Sequence, residues 1–421
     1  MDRVYELNLR HLRLLGTVVG HGSLSTAARE EGISQPALTQ ALAKLEVAFA
    51  LQLFERTPMG VAPTPAGRRV LRRIARAMQR LATALRAAGT GSHRSTPERA
   101  LTSAHVRGLL GVSEAGSFMH AASLAGVSVP ALHRSVRDLE QLCGTPLVER
   151  RGRGVGLTRA GARLASGFML GMAELTTALD ESTHGGRRLA VGAMALSRSH
   201  LLPATLADLL RAAPDAQVDV VEGSYLELVE FLRSGRIDVM VGALREHPTR
   251  DLQQEPLFAD WLTVIGRAGH PLAAATASFA QLADYPWIVA RRASNLLERW
   301  QSLFDEAGVP RPEAPIRCGS VAMIRSLLVR SDFLTLLSPD QVGAEIAAGT
   351  LIRIRSVVPD TSRTIGAITR RDWYPTPLQE AFMAALRATA AMMVQQSSAP
   401  VTRMGDAEEV NQNGSGPVPR L

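Results

Sequence analysis

Residues 34–46 read SQPALTQALAKLE, and residues 128–140 repeat that pattern as SVPALHRSVRDLE, 94 positions later. The repeat extends outward on both sides of this pair. Aligning residues 9–70 with residues 103–164 gives about two dozen identities in roughly sixty positions, far more than unrelated segments share. Each copy is therefore one folding unit, and the chain carries two of them.

The length of 421 residues accommodates two units of about 90 residues and one larger domain. Cys143 and Cys318 are the two cysteines of the sequence, so neither a disulfide framework nor a CxxC metal site is predicted. We expect Cys318 to be a small buried hydrophobe rather than a redox sensor. The charged N-terminus and the lack of any run of 18 apolar residues favour a soluble protein of the reducing cytoplasm.

The net charge of +8 is concentrated in the first unit. Residues 1–100 hold 15 Lys and Arg against 7 Asp and Glu, residues 101–185 hold 8 against 7, and the remainder holds 24 against 25. Basic charge confined to one module is expected of a surface that binds a polyanion such as DNA. The alternative is compositional drift in an arginine- and alanine-rich chain.

Each unit has the start and stop signals of three short helices, followed by a strand-turn-strand segment. Ser23 is expected to cap the second helix and Ser34 the third, with Pro36 in the first turn, where a missing N–H costs nothing. Two helices joined by a short turn that contains glycine form a helix-turn-helix pattern. Residues 51–64, LQLFERTPMGVAPT, are then typical of a wing.

Long amphipathic helices are predicted over residues 64–88 and 158–180. A helix of 25 residues spans about 37 Å and cannot bury its apolar stripe against one small module. We therefore expect the two stripes to pack together within one chain as antiparallel helices, joined by a tether able to span some 40 Å. The arginines opposite the stripe of the first helix are Arg69, Arg72, Arg73, Arg76 and Arg80. A solvated face is expected for Arg69, Arg72 and Arg76.

From Arg187 onward the pattern changes to alternating strands and helices. Residues 189–244 read as βαβαβ, which implies a parallel sheet with right-handed crossovers. A second α/β set covers residues 261–356, and two such halves suggest a cleft between them. The last 25 or so residues are polar and rich in Gly and Pro, so we expect them to be disordered.

The chain resembles a known family. Residues 33–67 and 127–161, ISQPALTQALAKLE to LFERTPMGVAPTPAG and VSVPALHRSVRDLE to LVERRGRGVGLTRAG, resemble the DNA-binding signature of LysR-type transcriptional regulators. Residues 187–393 resemble the effector domain of that family, which has a periplasmic-binding-protein-like fold. Residues 327–351 further resemble the branch that regulates sugar-binding-protein genes. The duplication departs from the family, whose ordinary members carry one module and pair linker helices between chains.

The predicted fold is of α plus α/β class: two tandem winged helix-turn-helix domains with long linker helices, then a two-subdomain α/β effector domain like periplasmic binding proteins. The predicted boundaries are 1–62 and 102–156 for the winged modules, 63–89 and 157–182 for the linker helices, 90–101 for a flexible tether, 187–395 for the effector domain and 396–421 for a disordered tail.

The N-terminal end of a recognition helix enters the major groove, so the residues that follow the cap reach base edges. Glutamine pairs with adenine, arginine with guanine, and basic side chains outside the groove take phosphates. The predicted DNA-binding residues are Ser34, Gln35, Pro36, Thr39, Gln40, Lys44 and Arg56 in the first unit and Ser128, His133, Arg134, Arg137 and Arg150 in the second.

The two units differ at the base-facing positions. Val129 stands where the first unit has Gln35, and Arg134 where it has Gln40, so the second unit should prefer another sequence. Two alternatives stay open. Gln35 is also explained as a solvated first-turn residue, and the nearly neutral second unit as an assembly module that binds DNA weakly.

Ligands of open α/β sheets bind at the carboxyl ends of strands, where helix N-termini offer free N–H groups. Serine and arginine at such places suit a carboxylate, a phosphate or a polyhydroxylated ligand, although each serine is equally explained as an ordinary helix cap. The predicted effector-binding residues are Ser197, Ser199, Ala243, Arg291, Ser294 and Ser320.

The sequence therefore predicts a sequence-specific DNA-binding transcriptional regulator modulated by a sugar or organic acid-like effector. No catalytic elbow, P-loop, GxGxxG or metal-spaced His/Cys set stands out, so we expect no enzyme, no cofactor and no metal. The alternative is a regulator or architectural protein with a vestigial, ligand-independent sensor. The expected partners are double-stranded DNA, the small-molecule effector, RNA polymerase and further copies of the chain, on the cytoplasmic nucleoid and away from membranes.

Overall fold

The computed structural model describes residues 2–89, 97–152, 154–290, 295–356 and 361–398. Within them the α-helices are α1 Leu9–His21, α2 Leu24–Glu30, α3 Gln35–Phe49, α4 Pro65–Ala88, α5 Ser103–Ala115, α6 Phe118–Ala125, α7 Val129–Cys143, α8 Arg159–His184, α9 Leu201–Ala212, α10 Tyr225–Arg233, α11 Phe279–Ala283, α12 Asn295–Glu306, α13 Val321–Leu328, α14 Gly343–Ala347 and α15 Pro377–Ser398. The strands are β1 Phe54–Thr57, β2 Gly60–Pro63, β3 Val148–Arg151, β4 Gly154–Leu157, β5 Arg188–Ala193, β6 Gln217–Glu222, β7 Val239–Ala243, β8 Leu252–Trp261, β9 Thr263–Arg267, β10 Trp287–Val289, β11 Ile316–Arg317, β12 Leu334–Leu337, β13 Leu351–Arg353 and β14 Ser362–Arg370.

The N-terminal half contains two similar units. Unit 1 comprises α1 to α3 and the β1–β2 hairpin, and unit 2 comprises α5 to α7 and the β3–β4 hairpin. The predicted caps are confirmed, since the hydroxyl of Ser23 accepts from a backbone N–H of α2 and that of Ser34 from one of α3. Ser117 and Ser128 do the same in unit 2.

A close backbone approach locks each hairpin onto the end of the first helix of its unit. The N–H of Val61 donates to the carbonyl of Gly22 at 2.7 Å, and that of Val155 to the carbonyl of Gly116 at 2.9 Å. A Cβ on Gly60 would lie 2.2 Å from the Gly22 oxygen, so a larger residue is excluded there. In unit 2 a Cβ on Gly154 would likewise lie 2.8 Å from the Gly116 oxygen. This contact explains why the repeat keeps glycine at positions 60 and 154.

The two long helices, α4 and α8, pack against each other within the chain. The Cα of Gly167 lies against Ala84, Gly171 against Leu81, and Glu181 bonds to Arg73, so the helices run antiparallel as predicted. Their apolar stripes join unit 1 and part of unit 2 in one hydrophobic core that extends to the end of α8. A separate small cluster inside unit 2 consists of Val112, Ala121, Ala122, Leu132 and Val136.

The tether is shorter than predicted. Residues 90–96 lie outside the described residues, but Pro97–Arg99 form a 3-10 turn and Leu101 is buried in the shared core. The Arg13 guanidinium donates to the carbonyl oxygens of Glu98 and Arg99, the latter at 2.8 Å. The final part of the predicted tether is therefore ordered, because Leu101 is buried and the half-buried Arg13 binds the backbone just before it, although Arg99 and Ala100 are exposed.

The C-terminal half has two five-stranded sheets. The first has the order β6-β5-β7-β14-β8, with β5 parallel to β6 and β7, and β14 antiparallel to β7 and β8. The second has the order β11-β10-β12-β9-β13, with β10 parallel to β11 and β12 and β9 antiparallel to β12 and β13. The two predicted parallel α/β cores are present, each with antiparallel strands added.

Sequence reasoning missed the elements that join the halves. The predicted strand over residues 261–267 is split, because β8 ends at Trp261 in the first sheet and β9 starts at Thr263 in the second. β14 then returns to the first sheet, and α15 packs on that sheet through Phe382 and Leu386. α15 continues to Ser398, inside the predicted tail, while residues 399–421 lie outside the described residues.

Candidate functional site

Unit 1 presents the start of α3 to solvent. Its predicted contact residues, from Ser34 to Lys44, and the hairpin residue Arg56 are all exposed. The Ser25 hydroxyl, at the start of α2, donates to Oε1 of Gln35 at 3.0 Å. The Thr39 hydroxyl donates to the backbone carbonyl of Gln35 at 3.0 Å, so this donor is satisfied within α3. The surface is thus a polar one that offers an oriented amide.

Unit 2 presents the equivalent surface with different chemistry. Its five predicted contact residues are exposed as well. The ring of His133 stacks on Phe118 with centroids 3.7 Å apart and an interplanar angle of 19°. Met119 and Val129 stand at the positions of Ser25 and Gln35 in unit 1, so an apolar pair replaces a hydrogen-bonded one. Sequence reasoning did not select Ser25 and Met119. Comparing the two repeats at their offset of 94 residues would have shown that these equivalent positions differ in polarity.

A glutamate at the end of each recognition helix positions the hairpin. Oε1 of Glu46 accepts from the N–H of Leu53 at 2.8 Å, and Oε1 of Glu140 accepts from that of Leu147 at 2.8 Å. The Leu-Glu pair that recurs in both units is therefore structural. It holds the base of the hairpin, whose strands carry Arg56 in unit 1 and Arg150 in unit 2, against the end of α3 or α7.

Some arginines of α4 are buried or half-buried, so the expected solvated face of this helix is only partly present. Arg69 and Arg72 are exposed as expected, but Arg76 is half-buried, and Arg73, which also lies opposite the stripe, is 2% exposed. Arg73 forms a two-pronged pair with Glu181, at 2.6 Å and 3.0 Å, and its Nη1 lies 3.3 Å from Glu174. Burial favours loss of the Arg73 proton, but hydrogen bonding and the charge of Glu181 and Glu174 outweigh it and raise its pKa.

The same arginines contact the loop between β14 and α15. Nη1 of Arg73 donates to the carbonyl of Tyr374 at 3.0 Å, and its guanidinium lies 4.8 Å from the centre of the Tyr374 ring. Arg76 binds Glu174 and the carbonyl of Asp372, and Arg80 pairs with the Asp372 carboxylate at 2.8 Å. We call these residues of α4, with Glu174, Glu181, Asp372 and Tyr374, the arginine–glutamate cluster.

This cluster reduces the basic charge available to a polyanion. Arg73, Arg76 and Arg80 are engaged in it, and Arg13 and Arg86 bind the segment that contains Glu98. Part of the charge excess of residues 1–100 therefore serves packing rather than an outer surface. Glu174, a single acid inside the apolar stripe of α8, was the signal for a buried ion pair.

The edges of the two sheets meet at a polar cluster on the crossover strands. Asp260 of β8 is buried, and it accepts from the Ser338 hydroxyl at 2.6 Å and from Nε of Arg363 at 2.8 Å. Burial and the nearby charge of Asp260 raise the pKa of Asp340, whereas the charges of His200 and Arg353 lower it. His200 precedes α9 in the first half and Asp340 follows β12 in the second, so the carboxyl ends of both sheets face one region.

The predicted effector-binding residues are distributed unevenly at these edges. Ser199 and Ser320 are exposed, and Ala243 ends β7. Ser320 caps α13, as the ordinary interpretation of a serine there expects. Ser197 is fully buried and its hydroxyl donates to the carbonyl of Met194 at 2.9 Å, so its assignment as a ligand contact is corrected to a turn-forming role. Arg291 and Ser294 lie outside the described residues.

Comparison with known proteins agrees with this arrangement. Residues 182–391 match the family model of the LysR substrate binding domain, and residues 9–68 and 104–162 match that of the bacterial regulatory helix-turn-helix protein, lysR family. The chain is 31% identical over 387 residues to the HTH-type transcriptional regulator GalR of Pseudomonas putida, covering 90% of this chain and 96% of that protein. The chain belongs to the LysR family.

The chain is also similar to a second regulator and to a solved structure. The regulator PcaQ of Agrobacterium fabrum is 30% identical over 292 residues, covering 68% of this chain and 94% of that protein. A full-length OxyR variant from Pseudomonas aeruginosa has a similar fold, with a TM-score of 0.53 and 22% identity over 72% of this chain and 96% of that one. The protein is thus a LysR-type DNA-binding transcriptional regulator with a substrate-binding effector domain. The named relatives are themselves transcriptional regulators.

Among the described residues, no helix combines the length and apolar character that crossing a membrane requires. Over the same part of the chain, no three His, Cys, Asp or Glu side chains are grouped as a metal ion would need.

We expect the two thiols of this LysR-family chain to react very differently. Cys143 is 1% exposed, and burial, with a contribution from the charge of Glu140, raises its pKa to about 11. Cys318 is only half-buried, so its expected burial is wrong. Because the thiolate is the nucleophile, iodoacetamide at pH 8 should label Cys318 in the native protein and Cys143 only after unfolding. Peptide mass spectrometry checks this, and native labelling of Cys143 at the rate of Cys318 would contradict it.

Proposed function

We propose that a single chain of this LysR-type regulator reads an asymmetric operator with two non-identical winged helix-turn-helix modules, unit 1 and unit 2. The antiparallel packing of α4 on α8 within the chain carries this proposal, because it supplies the linker-helix pair without a second chain. The GalR similarity supports it as well. Residues 103–421 are only about three quarters of the chain, so a match over 90% must include part of both units.

The two surfaces should read different bases. The amide of Gln35, oriented by Ser25, suits adenine in the half-site of unit 1. Arg134 is exposed at the start of α7 and suits guanine in the half-site of unit 2. Since both units contribute to one hydrophobic core, deleting residues 1–100 would remove more than half of that core. Point substitutions are therefore the appropriate test.

Arg134→Ala and Gln35→Ala should each weaken operator binding by about tenfold, since a good bidentate base contact contributes about 1–3 kcal/mol. Each substitution should relax base preference in a different half of the site. The measurement is binding of the full chain to a library of operators randomised one position at a time, after footprinting of its own upstream region.

Arg150→Ala is the matched control in that experiment. A phosphate contact carries no sequence information, so this variant should bind all operators more weakly and by a similar factor. Unchanged affinity and unchanged preference in Arg134→Ala would contradict the proposal. That result would favour the alternative in which unit 2 serves assembly.

For the effector domain we propose a carboxylated or polyhydroxylated ligand, in the class of sugars and organic acids. The support is the electrostatic contact between His200, which precedes α9 in the first half, and Asp340, which follows β12 in the second, together with the exposed Ser320 that caps α13. α9 begins after His200, whose side chain makes no capping hydrogen bond, so no cap side chain competes with a ligand for the first N–H groups of this helix. Thermal stability of the full chain should rise with one member of a panel of such compounds, and no rise across the panel would favour a vestigial sensor.

A further inference from the structure

Unit 2 carries an apolar groove on the side where its recognition helix begins. The groove lies between the first turns of α6 and α7 and the β3–β4 hairpin. Met119 is 73% exposed and Val129 is 36% exposed. The remaining apolar wall is formed by Phe118, Val148 and Val155.

Unit 1 has no such chemistry at the matching positions. There Ser25 and Gln35 are joined by a hydrogen bond of 3.0 Å, where unit 2 has Met119 and Val129. Phe54, which is 7% exposed, occupies the place of Val148 with a larger buried side chain. The groove therefore results from two differences between the units. Met119 and Val129 replace the polar pair of unit 1, and the smaller Val148 replaces its phenylalanine ring.

The groove has an ordered wall. The ring of His133 stacks on Phe118 at 3.7 Å and at 19°, so both rings are held at the edge of the groove. In unit 1 the equivalent Thr39 bonds instead to its own helix backbone. The stacked ring beside exposed methionine and valine gives one side of the groove an apolar surface that complements a small apolar group. Ser117, Glu149 and Arg150 supply the polar part of its lining.

We propose that this groove receives the 5-methyl groups of one or two thymines in the major groove, so that Met119 and Val129 specify thymine. The inference rests on the proposed reading of DNA by unit 2. Thymine is the one base that presents a methyl group in the major groove. Arg150 lines the groove, and Arg134 and Arg137 are exposed on α7, the helix that forms one of its walls. These charges complement phosphates and guanine better than the surface of a neutral protein segment.

The test replaces thymine by uracil in the footprinted operator, one position at a time, which removes a methyl group and leaves base pairing intact. Binding of the full chain should weaken roughly fourfold at one or two positions in the half-site of unit 2, as expected for one lost methyl contact. The double variant Met119→Ser with Val129→Gln restores the residues of unit 1. It should still bind DNA but no longer distinguish thymine from uracil.

A matched control is Leu226→Ser, which removes a 64% exposed leucine of α10 far along the chain. It should keep full sensitivity to uracil. Equal affinity for thymine and uracil operators, with the half-site of unit 2 still protected, would overturn the proposal that the groove binds thymine methyl groups. It would leave the reading of DNA by unit 2 intact. Absence of any protection there would overturn the reading of DNA by unit 2, and the pocket with it. A change in self-association of the double variant, with no effect of uracil, would make the groove a protein-docking surface and overturn the proposal.

Discussion

Replacing Arg73 by methionine should lower the free energy of unfolding by about 3–5 kcal/mol, the usual cost of breaking a buried ion pair from one side. The Glu181 side chain is 5% exposed and would lose its two-pronged partner at 2.6 Å and 3.0 Å. The carbonyl of Tyr374 would lose a donor at 3.0 Å. Urea denaturation followed by circular dichroism measures the change, and hydrogen exchange of α4 amides locates it.

Two companion variants separate charge from packing. Arg69→Met changes an exposed arginine of the same helix and should alter stability by less than about 0.5 kcal/mol. Arg73→Met combined with Glu181→Leu removes both charges, so the double variant should be more stable than Arg73→Met alone. A loss below about 1 kcal/mol for Arg73→Met would contradict the assignment of this residue to a buried pair.

Replacing Gly161 by alanine should cost about 3 kcal/mol, because the first turn of α8 has no room for a side chain. A Cβ there would lie 2.0 Å from the carbonyl oxygen of Leu147 and 2.9 Å from its carbon. Backbone atoms cannot rotate away as a side chain does. The Thr158 N–H also donates to that carbonyl at 3.0 Å, which ties α8 to the hairpin base. α8 would shift, and with it the α4–α8 packing; thermal and urea denaturation measure the loss.

Gly16→Ala is the control for this prediction. Gly16 lies within α1, is exposed, and a Cβ there would meet no atom within 4 Å. Alanine in a helix interior is favoured over glycine by about 1 kcal/mol, so this variant should be equal or more stable. If Gly161→Ala were also within about 0.5 kcal/mol of the parent, the close approach at Leu147 would be refuted.

The arginine–glutamate cluster connects the two functional parts of the regulator. Arg73, Arg76 and Arg80 lie on the helix that follows unit 1, while Asp372 and Tyr374 lie in the loop that follows β14. β14 is one of the strands at which the two halves of the effector domain meet, and its Arg363 binds Asp260 at that junction. A change at the junction therefore has a short covalent and hydrogen-bonded route to the linker helices.

Local sequence signals predicted the N-terminal half well. Helix starts followed from serine caps, and the long helices from apolar stripes whose length exceeded what one module could cover. The same reasoning wrongly expected Arg76 to be solvated and did not foresee the burial of Arg73. A row of arginines on one helix face looks solvated until the partner helix is seen to carry Glu174 and Glu181. It also missed β8 and β14, since their pairing joins residues more than 100 positions apart.

The sequence by itself determined the duplication, the two helix-turn-helix patterns, the alternation of strands and helices after Arg187, and the unlike residues at the base-facing positions. Each of these depends on spacing along the chain or on side-chain chemistry, which are present before folding. Tertiary structure alone decided which arginines are buried, which strand returns to the first sheet, and that Met119, Val129 and the His133–Phe118 stack border one groove. These features depend on distances between elements remote in sequence, and packing sets those distances.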